Sequence, residues 1–236
     1  MELLAFHPPG WGGVLLAGFV SSLQIAIGAY LLGLTIGIAG AYGKLYGGPV
    51  TRDLLGIYTT VVRAVPELVL ILLIYYAGTD LLNRALALGG IDPVDIGGLT
   101  AGIVTLGFVQ GAYSTEVLRG AILAVPQGQI EAARAYGMAP WLMMRRITLP
   151  AMLPFAIPGL ANLWLICTKD TALLAVVGFS ELTLMTRQAA GATKAYFTFY
   201  MAAGALYLAL TLFSNQIIGW VERRSRRGMP GVAEGS

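Results

Sequence analysis

An all-α membrane protein with five transmembrane helices is the fold class this sequence predicts, on three observations. Of 236 residues, 57% are hydrophobic and 11% charged, with mean hydropathy +0.74, whereas soluble domains carry about 25% charged residues. Residues 8–43, 96–115, 147–168 and 195–221 contain no Asp, Glu, Lys or Arg, and each interval reaches the roughly 18 residues that mark a membrane span. A fifth apolar stretch, about 54–78, is broken only by Arg63 to Glu67.

The first span, about 12–42, has no Lys or Arg before it and is longer than a signal-peptide core of about 7–15 residues, so it is expected to be retained. Gly33, Gly37 and Ala41 recur every four residues along it, the spacing that lets helix backbones approach where lipid supplies no hydrophobic drive. In the second span, Pro66 either kinks a long helix or starts a shorter one. The third, about 96–122, carries Gln110, Tyr113 and Glu116, and the fourth, about 147–168, carries Asn162 and is followed by Lys169, Asp170 and Thr171. Polar groups at membrane depth are functional candidates by default, with a bland alternative of internal pairing: Lys169 with Asp170, Glu116 with Arg119, and Asn162 between helices. The ten apolar residues 171–180 are too short to span and fit a broken or re-entrant element buried in protein. The fifth span, about 195–221, leads into Glu222-Arg-Arg-Ser-Arg-Arg, a juxtamembrane anchor, so one membrane domain covers 1–227 and 228–236 form a flexible tail.

Orientation follows the basic residues in short connections. With the C-terminus inside, the cytoplasmic side holds Lys44, Arg52, Arg63, Arg119, Arg134, Arg145, Arg146, Arg223, Arg224, Arg226 and Arg227, against Arg84, Lys169, Arg187 and Lys194 outside. That places the N-terminus outside and residues 124–150 in the cytoplasm. A net charge of +3 from 15 basic and 12 acidic residues leaves too little excess for a nucleic-acid surface. Cys167 and His7, the sole cysteine and histidine, give no disulfide and no metal-ligand pair. A P-loop needs Gly-Lys-Ser/Thr, but Gly43-Lys44 is followed by Leu45, so nucleotide must bind elsewhere.

The segment from Ala124 to Pro150 reads as helix, turn, helix. Gln129 to Tyr136 is rich in helix formers, Gly137 suits a left-handed cap, and Pro140 can begin a second helix. Ala132 and Ala133 give the first helix a thin face able to enter a cleft on another protein, and Glu131 and Arg134 stand at i,i+3. Periodicity alone equally admits an amphipathic loop on the membrane surface.

The order Glu131-Ala132-Ala133, three residues, Gly137, nine residues, Ile147-Thr148-Leu149-Pro150 resembles the EAA loop of the membrane subunits of bacterial ATP-binding cassette (ABC) importers. RAVPELVL at 63–70, GAYSTEVLRGAI at 111–122, VPQG at 125–128 and KDTAL at 169–173 look like signatures of the polar amino acid uptake subfamily. Tyr58-Thr-Thr60, Leu106-Gly-Phe108, Ser214-Asn215 and Glu222-Arg-Arg224 are most similar to the Q-type permease subunit of histidine, lysine-arginine-ornithine and opine importers. Two positions depart from the pattern: Ala64-Val65-Pro66 stands for Gly-Thr-Pro, and Ala172 follows Thr171 where many members have Ser.

The resemblance implies the type I ABC importer permease fold in the bacterial cytoplasmic (inner) membrane. It implies that Glu131, Ala132, Ala133 and Gly137 couple to a cytoplasmic ATPase dimer holding ATP and magnesium. It also implies a second permease subunit, usually a related M-type chain, and a separate amino-acid-binding protein at the outer face. Gln110, Tyr113, Glu116, Asn162, Lys169, Asp170 and Thr171 are the candidate substrate path, with Lys169 suited to a carboxylate and Glu116 or Asp170 to a cation. With so few acids, the main specificity site is expected in the partner permease. An ion-coupled carrier would show internal repeats, and a membrane enzyme would show a nucleophile–base or metal pattern; neither is visible.

Overall fold

The computed structural model describes residues 2–7, 9–93 and 97–225. The helices are α1 (Gly12–Tyr46), α2 (Pro49–Ala64), α3 (Glu67–Leu88), α4 (Gly98–Leu123), α5 (Gln127–Ala135), α6 (Pro140–Met143), α7 (Leu149–Asp170), α8 (Leu182–Thr193) and α9 (Tyr196–Ser225). A π-helical turn, Met144–Thr148, joins α6 to α7, and a 3₁₀ turn, Thr171–Val176, follows α7. Among the described residues, Gly12–Tyr46, Glu67–Leu88, Pro140–Val176 and Tyr196–Ser225 are long and apolar enough to cross a membrane.

The core is the α1–α4 interface, which the small-residue stripe makes possible. A Cβ on Gly33 would stand 2.7 Å from the Gln110 Cβ, and Gly37 and Gly40 press equally hard on Ser114 and Thr115. Gly33, Gly37, Gly40 and Ala41 are all buried there. Rising numbers in α1 meet rising numbers in α4, so these helices run parallel. Across α4 from α1, α3 runs antiparallel, its Glu67 bonding Tyr113 and its Ile71 clustering with Ala101 and Leu106. Antiparallel packing recurs for α7 on α4, where Met152 and Ala156 meet Ala121 and Leu118, and for α9 on α7, where Ser214 meets Trp164 and Tyr207 meets Thr171. In chain order, α1, α3, α4, α7 and α9 therefore alternate in direction.

Of the two courses open at Pro66, the structure takes the second: α2 ends at Ala64 and α3 starts at Glu67, with Val65 extended (φ −95°, ψ 137°) and Pro66 preceding the first helical residue. A residue before proline is pushed out of the helical region, so Pro66 starts a new helix instead of bending an old one. The third segment begins at Gly98, residues 94–96 lying outside the described residues. At about 39 Å, α4 is long enough to span, yet it is not among the four apolar stretches. Because α1, α2, α3 and α7 enclose it, it can carry Thr105, Gln110, Ser114, Thr115, Glu116 and Arg119 without presenting them all to lipid. The tail 228–236 also lies outside the described residues.

The segment after α7 is buried in protein. Thr171, Leu174, Glu181 and Leu182 are 0% exposed, Gly178 takes the turn at φ 93°, and the Glu181 carboxylate caps α8 by accepting from Thr183 N at 2.8 Å and Leu184 N at 2.7 Å. Ser22 Oγ of α1 and Tyr207 OH of α9 donate to the same carboxylate at 3.2 and 3.4 Å, tying this segment to both helices.

Candidate functional site

At the end of the bundle where α4 finishes, α5, α6 and the π-helical turn form the expected helix–turn–helix. Gly137 has φ 68°; Met138 N donates to Ala133 O at 3.1 Å and Gly137 N to Arg134 O at 2.9 Å, the paired bonds of a Schellman C-cap. No atom lies within 4 Å of where a Gly137 Cβ would be, so glycine is required for backbone conformation and not for space. Glu131, Ala132 and Arg134 are exposed, and no ion pair joins Glu131 to Arg134 among the described residues. Ala133 corrects the sequence expectation: it is 4% exposed and turned into its own chain, so the outer face belongs to Glu131, Ala132 and the C-terminal turn. Two anchors that sequence reading missed stand beside it, Tyr136 at 89% and Trp141 at 73% exposed. Exposed aromatics flanking a small-residue helix are the side chains that dominate binding energy at protein interfaces.

Glu116 is engaged at the same end. Its Oε1 accepts from Lys44 Nζ at 2.6 Å, and its Oε2 accepts from Arg119 Nη2 at 2.9 Å and Arg119 Nε at 3.1 Å. Lys44 Nζ also donates to Thr59 Oγ1 at 2.9 Å, so four polar side chains join α1, α2 and α4. The Arg119 pair matches the expected i,i+3 contact; Lys44, 72 residues from Glu116, had no local signal.

Higher in the bundle a second polar group collects where the chain breaks between α2 and α3. Tyr113 OH donates to Glu67 Oε1 at 3.1 Å. Arg63 and Asp170 lie within electrostatic reach of Tyr113, and Glu67 and Lys169 within reach of Asp170. Gln110, one turn along α4 from Tyr113, is 1% exposed with Oε1 lacking a hydrogen-bond partner. Lys169 makes no ion pair with Asp170 among the described residues and is exposed, as is Asn162; their spacing of seven puts both on one face of α7. Thr171 does not join this group, because its hydroxyl donates to Thr168 O at 2.9 Å and stands 3.5 Å from Tyr207 OH. Glu67, absent from the sequence candidates, has the signal that it opens a helix straight after the Pro66 break.

A bundle of apolar helices in alternating direction, a half-buried polar group at a helix break and a projecting helix–turn–helix define the membrane component of a transport system. Residues 33–227 match the family of binding-protein-dependent transport system inner membrane components, and the chain belongs to it. It is 42% identical over 220 residues to the histidine/lysine/arginine/ornithine transport system permease protein HisQ of Salmonella typhimurium, covering 93% of this chain and 96% of that one. It is 37% identical over 229 residues to the octopine transport system permease protein OccQ of Rhizobium radiobacter, covering 97% of each. A crystal structure of an amino acid ABC transporter with histidines superposes with TM-score 0.77 at 29% identity, over 91% of this chain and 95% of that one.

Proposed function

We propose that this chain is the permease subunit of an ATP-driven importer of basic amino acids or opines. The relatives' substrates support that class, and the observation in this chain that carries it is the cluster of Glu67, Tyr113 and Asp170 at the α2–α3 break, which gives this chain a share in a recognition site that its few acids alone would assign to the partner permease. Discontinuous helices place backbone polar groups at membrane depth where a substrate can use them, and two carboxylates in mutual reach suit a cationic side chain. Gln110 and Tyr113 add hydrogen-bonding groups, while Lys169 and Asn162, on the open face of α7, suit the substrate carboxylate from the side where a second permease would close the path. Glu116, paired twice, is assigned to coupling and not to substrate.

On this reading α2 and α3 together make one crossing, giving five in all, with the N-terminus outside and α5 in the cytoplasm of a bacterial inner-membrane protein. Glu131, Ala132, Gly137, Tyr136 and Trp141 form the surface for the ATPase dimer, which holds ATP and magnesium. A second permease, of M-type, and an amino-acid-binding protein complete the assembly. The test is uptake into vesicles containing all subunits: cationic amino acids should enter only with ATP inside, and Asp170→Asn or Glu67→Gln should reduce uptake at least tenfold while the complex still assembles. Uptake driven by an ion gradient without ATP refutes the importer. Unchanged uptake by both variants removes the site from this chain.

A further inference from the structure

A recess separate from the polar cluster opens between α1, α7 and α9, with a volume of about 840 Å³. Leu23 and Ile27 form one wall, Ile157 and Ala161 a second, and Phe213 and Ile217 a third. Its polar atoms are turned on each other: Trp164 Nε1 donates to Ser214 Oγ at 3.0 Å and Tyr30 OH to Leu160 O at 3.1 Å. Such a wall offers a hydrophilic solute nothing and suits hydrocarbon.

The length and the end of the recess define the occupant. Along α9 the lining runs from Ala209 to Val221, about 18 Å at 1.5 Å per residue, close to the roughly 15 Å depth of one leaflet's hydrocarbon. Ser214, Ile217, Ile218 and Val221 recur at helical spacing, and the same stripe reaches Arg224 one turn later. Trp220, 59% exposed, lies beside that end with the Arg224 guanidinium 5.9 Å from its ring centroid, and tryptophan gathers at the membrane–water boundary. Arg223 and Arg224 outweigh the one acid there, Glu222, and Arg226 and Arg227 follow in the sequence. A helix is about 10 Å across, so 18 Å of one would displace on the order of 1,400 Å³; it could rest on this groove but not fill it.

We propose that the groove between α1, α7 and α9 binds an anionic phospholipid, an acyl chain lying along α9 and the phosphate held by Arg224, the arginine on the lining stripe. Basic groups at the mouth of an apolar interhelical groove provide the charge for such a headgroup. Assignment to the cytoplasmic leaflet rests on the orientation proposed above; if that orientation fails, the lipid moves to the other leaflet and the site remains.

The test uses the complete transporter, purified in detergent, mixed with phosphatidylglycerol or phosphatidylcholine, and weighed intact by mass spectrometry. The native complex should retain at least tenfold more phosphatidylglycerol than phosphatidylcholine. Arg224→Gln should lose that excess, and Ala209→Phe, which fills the groove and leaves the arginine, should lose it too. A photoreactive phenylalanine analogue in place of Ala161 should give lipid adducts in the membrane, a readout that needs no arginine variant. Equal retention by the arginine variant, retention undiminished by Ala209→Phe, or adducts only with the second permease would each overturn the proposal.

Discussion

Replacing Lys44 with methionine tests whether the base of the bundle is held by the Lys44–Glu116–Arg119 group. At an effective dielectric near 20, unit charges 4 Å apart attract by roughly 4 kcal/mol before desolvation. The side chains of Lys44, Glu116 and Arg119 are 15%, 17% and 35% exposed, between the surface case worth about 0–1 kcal/mol and the buried case where losing a partner costs about 3–5. Lys44→Met leaves Glu116 neutralised by Arg119 and should cost about 1–2 kcal/mol, within those bounds. Glu116→Gln removes both attractions and leaves two cations around one amide, costing roughly twice as much. The sign of the coupling is the sharper expectation: in the Glu116→Gln background, Lys44→Met removes a repelling charge and should restore stability. The chain carries its own reporter, because Cys167 is its one cysteine and is buried. In a complex whose other subunits lack cysteine, thiol-dye fluorescence follows thermal unfolding. At about 2–4 °C per kcal/mol for a chain of this size, Lys44→Met should lower the midpoint by about 2–8 °C and the Glu116→Gln change by about twice that. Equal lowering by Lys44→Met in both backgrounds would falsify the account.

Gly137→Val should reduce ATPase pull-down and uptake with insertion intact, whereas Gly137→Asn, which tolerates the left-handed region, should retain most of both. Normal pull-down from the valine variant would remove the turn from the docking surface. Gly37→Leu should force α1 away from Ser114 and lower the unfolding midpoint by the amount expected for about 1–3 kcal/mol of overpacking; an unchanged midpoint would mean that the α1–α4 contact yields freely. In a background lacking Cys167, cysteine at position 90 should react with impermeant reagent in intact cells and cysteine at 134 should not; the opposite pattern inverts the orientation.

The local periodicities were readable where a side chain's fate depends on its own helix. Gly33, Gly37 and Ala41 announce close packing without naming the partner, and Gly137 with Pro140 marks the turn because backbone conformation is decided within a few residues. What stayed hidden depends on distant contacts. Lys44 looks like a span-end charge until α4 brings Glu116 to it. Ala133 looks equivalent to Ala132 until the fold buries one and leaves the other exposed. Pro66 left two courses open in the stretch 54–78, and its steric effect on Val65 takes the one that splits the run into two helices and delivers Glu67 to Tyr113. Thr171 sits beside Asp170 in sequence, yet the 3₁₀ turn carries its hydroxyl toward Tyr207.

The enclosed position of α4 bears on how the protein is made. A charged residue costs about 2.5–3.5 kcal/mol on insertion at the middle of a lone helix and less toward its end, and α4 carries Glu116 and Arg119 in its last two turns with few lipid-facing residues to offset them. Arg119 pairs with Glu116 on the same helix, but the second partner of Glu116, Lys44, and the glycines under Ser114 and Thr115 are on α1, which leaves the ribosome first. Entry of α4 into the bilayer is thus a docking event onto helices already there, and faults in α1 would appear as failed membrane integration of a segment made later.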